Sequence, residues 1–217
     1  MPHAQTITAT GKLVNLLNPS KKSINFKVAA SCLAKVNRFS GHTTQPYSVA
    51  EHSCRLAGLV SRHLRPYALL HDFHEAYTTD IPQPMQEAII AELKKLGIHQ
   101  DPVKKIKHNL DKAIHAAAGL KWPLSEEDQS SLKIAEEFLL AWEFRDLFDG
   151  CVEMPDELKA YRISSNRLSP WDWSTAADKF YQMVFKEIIE KKPVKSREKH
   201  MMEKLSSSGA LISDFNI

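Results

Sequence analysis

The sequence is short of glycine, with seven in 217 residues, and poor in alternating β-branched runs, which argues against a fold made of many strands and tight turns. It has three cysteines, Cys32, Cys54 and Cys151, an odd number at wide spacing with no CxxC pair. Thiolate zinc sites and dithiol redox motifs are therefore not expected, and reduced, partly buried thiols are. No run reaches the ~18–20 apolar residues that a membrane span needs. The first residues, Met-Pro-His-Ala-Gln-Thr-Ile-Thr, lack a basic stretch followed by an apolar one, so no signal peptide is read there and a cytoplasmic location is expected. The net charge of +3 is too small for a nucleic-acid binder.

What is present is helical periodicity. With 43% hydrophobic and 25% charged residues, the composition suits one well-filled core, and the expected class is all-α. Residues 7–17 alternate weakly around Gly11, as a hairpin or extended arm would. A helical face runs from Ile24 to Val36. Ser48 with Glu51 forms a capping box for a helix from Val49 to about Leu64. Pro66 opens a further helix to about Tyr77, and Thr78–Pro84 is a proline-pinned loop. Amphipathic helices follow from Met85 to Leu96, stopped by Gly97, and from Asp101 to Ala118, stopped by Gly119. The longest helix opens at Ser125 and continues to Phe148. Residues 151–173 read as irregular, Ser174 caps a last helix to about Ile189, and Trp122, Trp171 and Trp173 read as core anchors. Residues 1–189 are expected to form one domain, and the charged, serine-rich stretch 190–217 a tail.

The chemistry concentrates in one place. Tyr67-Ala-Leu-Leu-His-Asp-Phe-His-Glu-Ala-Tyr-Thr-Thr-Asp80 puts His71, Asp72, His74, Glu75 and Asp80 within ten residues after an apolar run. An unpaired carboxylate buried in such a segment costs several kcal/mol, roughly, and a divalent cation is the simplest compensation. On a continuous helix Asp72 and Glu75 share a face, and His74 falls on the opposite side. His52, between Val49 and Leu56, faces the same way as its apolar neighbours; taken alone, such a histidine is more often a satisfied core residue. The loop Asn37–Pro46 carries Arg38, His42, two threonines and a glutamine.

Five ordered segments, Asn37-Arg-Phe-Ser-Gly-His42, Tyr47-Ser-Val-Ala-Glu-His52, Leu70-His-Asp-Phe-His-Glu-Ala76, Asp80-Ile-Pro-Gln-Pro84 and Ala135-Glu-Glu-Phe-Leu-Leu-Ala-Trp-Glu-Phe-Arg-Asp-Leu147, resemble HD-domain metal-dependent phosphohydrolases. The nearest branch holds bacterial 5′-deoxynucleotidases and short phage-encoded HD hydrolases, including dATP triphosphohydrolases. The resemblance spans residues 7–185. It implies a helical bundle with a metal site at its centre. Its divalent ion (cobalt, manganese, zinc or magnesium) would be held by His52, His71, Asp72 and Glu136. Glu75 and Asp80 would be the catalytic carboxylates, and Arg38, Phe39 and His42 the nucleotide-binding residues. The family has aspartate where this chain has Glu136, a longer side chain that moves the carboxylate by about an ångström. The implied partners are a nucleotide substrate and further copies of the chain. Two other readings stay open: a catalytically weak nucleotide- or metal-binding module, and a helical interaction domain in which the His-Asp pair is a buried polar network.

Overall fold

A computed structural model describes residues 4–191 except 149, 151 and 164. The protein is an all-α bundle with a small N-terminal hairpin. Strands β1 (Gln5–Ile7) and β2 (Leu13–Asn15) pair antiparallel around the turn at Gly11, with Thr6 opposite Val14. The helices are α1 (Phe26–Leu33), α2 (Val49–Leu59), α3 (Arg65–Leu70), α4 (Glu75–Thr78), α5 (Gln83–Lys95), α6 (Pro102–Ala118), α7 (Glu126–Leu147) and α8 (Trp173–Val184). The expected tail lies outside the described residues from 192 onward. Among the described residues no helix is long and apolar enough to cross a membrane.

Side-chain caps set most of the helix starts, because the first N–H groups of a helix have no partner within it. Asn25, Ser48, Asp101 and Ser125 each accept from a backbone N–H three residues on. Gly119, at φ 76°, ends α6 in the left-handed conformation that a side chain makes costly. Two expectations change here. The cap of α8 is Asp172, not Ser174, since its carboxylate accepts from both Ser174 N and Thr175 N. The capping box at Ser48 is only half made: Glu51 turns inward to accept from Arg55 and from Trp171 N instead.

The core lies where α2 packs on α3 and α8, and α1 closes over α8. Its centre is Val49, Leu56, Leu69, Leu70, Phe73, Ile114, Phe180 and Val184, all fully buried. Trp171 packs partly buried against this core, but Trp173 is 57% exposed and anchors nothing in it. Its position at the first turn of α8, one residue past the cap, turns it outward.

The segment expected as one helix from Pro66 to Tyr77 is two. Between α3 and α4 the bonds run to carbonyls three residues back rather than four: His71 N to Ala68 O, Phe73 N to Leu70 O, and Glu75 N to Asp72 O. That tighter winding brings residues three apart into line. Asp72 therefore eclipses Glu75, and the helical wheel that set His74 apart no longer applies.

Candidate metal centre

Four elements deliver side chains to the surroundings of Asp72, where His71 and Glu136 stay partly exposed. His52 comes from α2, His71 and Asp72 from the tight turn after α3, Glu75 from α4, and Glu136 and Glu143 from α7. Arg38 enters from the 3-10 turn Arg38–Gly41. His52 Nε2 lies 3.8 Å from Asp72 Oδ2, and His71 Nε2 lies 3.5 Å from Asp72 Oδ1 and 3.1 Å from Glu136 Oε1. The four residues expected as ligands are thus linked by successive contacts through Asp72 and His71.

Glu143, absent from the expected set, is fully buried and accepts from His52 Nδ1 at 2.6 Å. Its other oxygen takes Arg38 Nη2 at 3.2 Å, and Arg38 Nη1 bonds Asp72 Oδ2 at 3.3 Å. An acceptor on Nδ1 leaves Nε2 as the bare lone pair, which is the form of histidine that binds metal. Glu143 was legible in one respect: it lies seven residues, two helical turns, beyond Glu136 and so on the same face of α7.

His74 is also buried and belongs here. Its Nδ1 is 3.0 Å from Asp111 Oδ1 on α6, and one ligand atom each from Asp72, His74 and Glu75 lie within 4.8 Å of one another. This buried Asp/His/Glu cluster could coordinate a divalent metal ion. Nothing in the local pattern pointed to Asp111, which is 37 residues away in sequence.

The electrostatics fit a cation. Arg38 pairs with the carboxylates of Asp72 and Glu143. Burial, followed by the negative charges of Asp72 and Asp80, pushes the Glu75 carboxyl well above its usual range. Burial alone would lower His71, but Asp72 and the contact with Glu136 raise it to about 10. Protons on Glu75 and His71 thus offset negative charge that a divalent ion would neutralise, and metal binding to such groups displaces protons. Three buried polar atoms of these residues, His52 Nε2, His74 Nε2 and Glu75 Oε2, have no hydrogen-bond partner. Orphaned buried donors cost roughly 1–3 kcal/mol each unless a ligand satisfies them.

The remaining expected residues sit at the rim. Asp80 follows Thr79, whose φ of 63° and ψ of 167° turn the chain sharply at the end of α4. That region is rarely occupied except by glycine. Burial pushes the Asp80 carboxyl up, against the pull of Arg38 and with the repulsion of Asp72. Phe39 lies under the Arg38 guanidinium, 5.3 Å from ring centre to Cζ, and is held edge-on by Phe144 and Phe148. Phe39 and Ser40 both take left-handed φ, at 54° and 53°, strain that bends this turn over the site. His42 is exposed just beyond.

No family model matches the chain. It is similar to the uncharacterized protein YfdR of Escherichia coli K12, at 31% identity over 140 residues, covering 64% of this chain and 70% of that protein. It is also similar to an uncharacterized protein of Rhodobacter capsulatus, at 37% identity over 89 residues, covering 37% of this chain and 45% of that protein.

Proposed function

Since the chain belongs to the family of Escherichia coli YfdR, a protein described only as uncharacterized, its activity has to be read from the site. We propose that it is an HD-domain metal-dependent phosphohydrolase acting on deoxyribonucleotides. Its substrate of choice would be a deoxynucleoside triphosphate, dATP above all, cut to deoxynucleoside and triphosphate. The observation that carries the proposal is the convergence of His52, His71, Asp72 and Glu136, with Glu143 fixing the His52 ring at 2.6 Å.

His52 Nε2, His71 Nε2 and carboxylate oxygens of Asp72 and Glu136 would hold the ion, a nitrogen–oxygen set that suits manganese, cobalt, zinc or iron. A divalent ion at such a place supplies Lewis acidity, lowering the pKa of water and neutralising phosphoryl oxygens. The chain's own residues do the rest. Glu75, once deprotonated, and Asp80 would take a proton from the attacking water, whose oxygen forms the new bond to the α-phosphorus. The bond from that phosphorus to the nucleoside O5′ breaks, and O5′ leaves with a proton returned from the same acidic pair. Arg38 turns its fork of donors from Asp72 and Glu143 to the phosphoryl oxygens as charge grows there. Phe39, fixed by two neighbouring rings, offers an aromatic edge to the base or sugar. The exposed His42, with the polar residues that follow it, lies where a longer phosphate chain would extend.

The test is a product analysis. Protein supplemented with Mn²⁺ or Co²⁺ is incubated with a panel of dNMPs and dNTPs, with the His71→Ala/Asp72→Ala variant as control. Deoxynucleoside with intact triphosphate, from dATP first, is the expected result. Deoxynucleoside and phosphate from monophosphates alone would reassign the protein as a 5′-deoxynucleotidase. Bound metal with no product from any nucleotide would overturn the enzyme reading.

A further inference from the structure

We propose that the cavity between α2 and α8, at the corner that carries Trp171, is a binding site for a phosphate-bearing anion. It shares no lining residue with the candidate metal centre, so the inference stands apart from the reading of that centre.

The cavity, of about 410 Å³, falls in the range of small-ligand sites. Its polar lining is Arg55 of α2, Lys179 and Gln182 of α8, and Lys186 of the π-helical turn Phe185–Ile189 that continues α8. Lys179, Gln182 and Lys186 recur at helical spacing and so share a face. No aspartate or glutamate lines the cavity. Elsewhere on the surface Lys95, Lys133, Lys159 and Lys191 each pair with a carboxylate. Among the described residues Lys179 and Lys186 pair with none. Three like charges facing one space repel each other, and a bound anion removes that cost.

Two of the three cations are held in place before any ligand arrives. The fully buried Glu51 accepts from Arg55 Nε at 2.8 Å and, through its other oxygen, from Trp171 N at 2.7 Å. Arg55 Nη2 also reaches Ser169 O at 2.9 Å. One carboxylate thus ties the arginine to the Trp171 corner, and Nη1 is left without a bond among the described residues. The Trp171 ring orients both charges, with Arg55 Cζ 5.0 Å and Lys179 Nζ 3.9 Å from its centre. Side chains fixed in this way lose less freedom on binding. An arginine edge and two ammonium groups around one space match an anion with several oxygens and more than one negative charge. A phosphate or a phosphate chain meets that description, whereas a single carboxylate would leave most of the positive charge unpaired. The exposed Gln182 adds an amide donor beside the two lysines.

The test is binding of inorganic phosphate, tripolyphosphate and dATP to metal-free full-length protein, followed by calorimetry and equilibrium dialysis. Tripolyphosphate is expected to bind, and to bind more weakly as salt screens the charges. Lys179→Gln/Lys186→Gln changes two exposed side chains and should bind it about tenfold or more weakly. Lys104→Gln/Lys105→Gln, an equal loss of charge on exposed positions of α6, should bind as wild type does, and so should Arg38→Gln. Circular dichroism of each variant reports its fold, and the two lysine pairs decide the matter even if Arg38→Gln does not fold. dATP held more tightly than tripolyphosphate, and lost with Lys179 and Lys186, would identify a nucleotide as the ligand; equal affinity would identify the phosphate chain alone, and either upholds the site. Equal weakening in the two lysine pairs would reduce the effect to general surface charge and overturn it. Loss in a folded Arg38→Gln alone would put the anion at the metal centre, and no binding of any of the three would likewise overturn the site.

Discussion

Replacing Glu143 by glutamine separates what its carboxylate does from what its volume does. The side chain is fully buried, so the amide fills the same space and no cavity opens. What changes is charge and donor character. The carboxylate only accepts, so His52 Nδ1 carries a proton and, in the neutral ring, Nε2 is the free lone pair. The amide can turn its NH₂ toward Nδ1, which moves the proton to Nε2 and blocks it as a ligand. Mutating the carboxylate behind a ligand histidine lowers metal affinity about 10- to 100-fold, or about 1.4–2.8 kcal/mol. Arg38 also loses one of its two carboxylate partners, the one at 3.2 Å. A charge-assisted hydrogen bond contributes roughly 1.5–3 kcal/mol, and about 2–4 °C of Tm follows each kcal/mol in a chain of this size. The apo Glu143→Gln protein should therefore melt several degrees below wild type, and competition with a chromophoric chelator should find Mn²⁺ or Zn²⁺ held at least tenfold more weakly. Wild-type metal affinity with a lowered Tm would leave Glu143 as a partner of Arg38 alone and refute its part in preparing His52.

Two further outcomes test the frame around the site. Phe180 is fully buried against Phe73, their ring centres 6.3 Å apart, so Phe180→Ala should cost about 3–5 kcal/mol in urea unfolding, and a loss below 1 kcal/mol would contradict its place at the centre of the core. At Asp146 burial pushes the carboxyl up, but bonds from Arg145, Leu168 N and Arg167 outweigh it and hold the group well below the usual carboxylate range. A folded pKa below the unfolded one gives stability that is present above about pH 4 and lost as pH falls through the folded value. Urea midpoints at pH 3, 5 and 7 should fall steeply with acid in wild type and more gently in Asp146→Asn, which starts lower at pH 7; parallel lines would refute the assignment.

Helix boundaries were legible where a short polar side chain or a glycine settles the end locally, as at Ser48, Asp101, Ser125 and Gly119. The set His52, His71, Asp72 and Glu136 was expected from a motif, and the geometry links these four by direct contacts. His74 was misplaced because the expectation assumed 3.6 residues per turn through residues 71–74, where the backbone tightens toward three. Asp111 could not be found, since its bond to His74 joins elements whose approach depends on the whole core. Trp173 misled for a related reason: aromatic character suggests burial, but the start of α8 at Asp172 decides which way it faces.

The bond between His52 and Glu143 spans 91 residues, and that between Arg38 and Glu143 spans 105. A chain emerging from the ribosome therefore makes Arg38, His52, His71 and Asp72 long before it makes the carboxylate that holds two of them in place. Until α7 has been synthesised, Arg38 and His52 lack the carboxylate that bonds both of them. The hydrophobic interior closes later still, since it needs Phe180 and Val184 of α8. A nascent chain ending before Glu143 would bind metal poorly however much of α2 and α3 it had already folded.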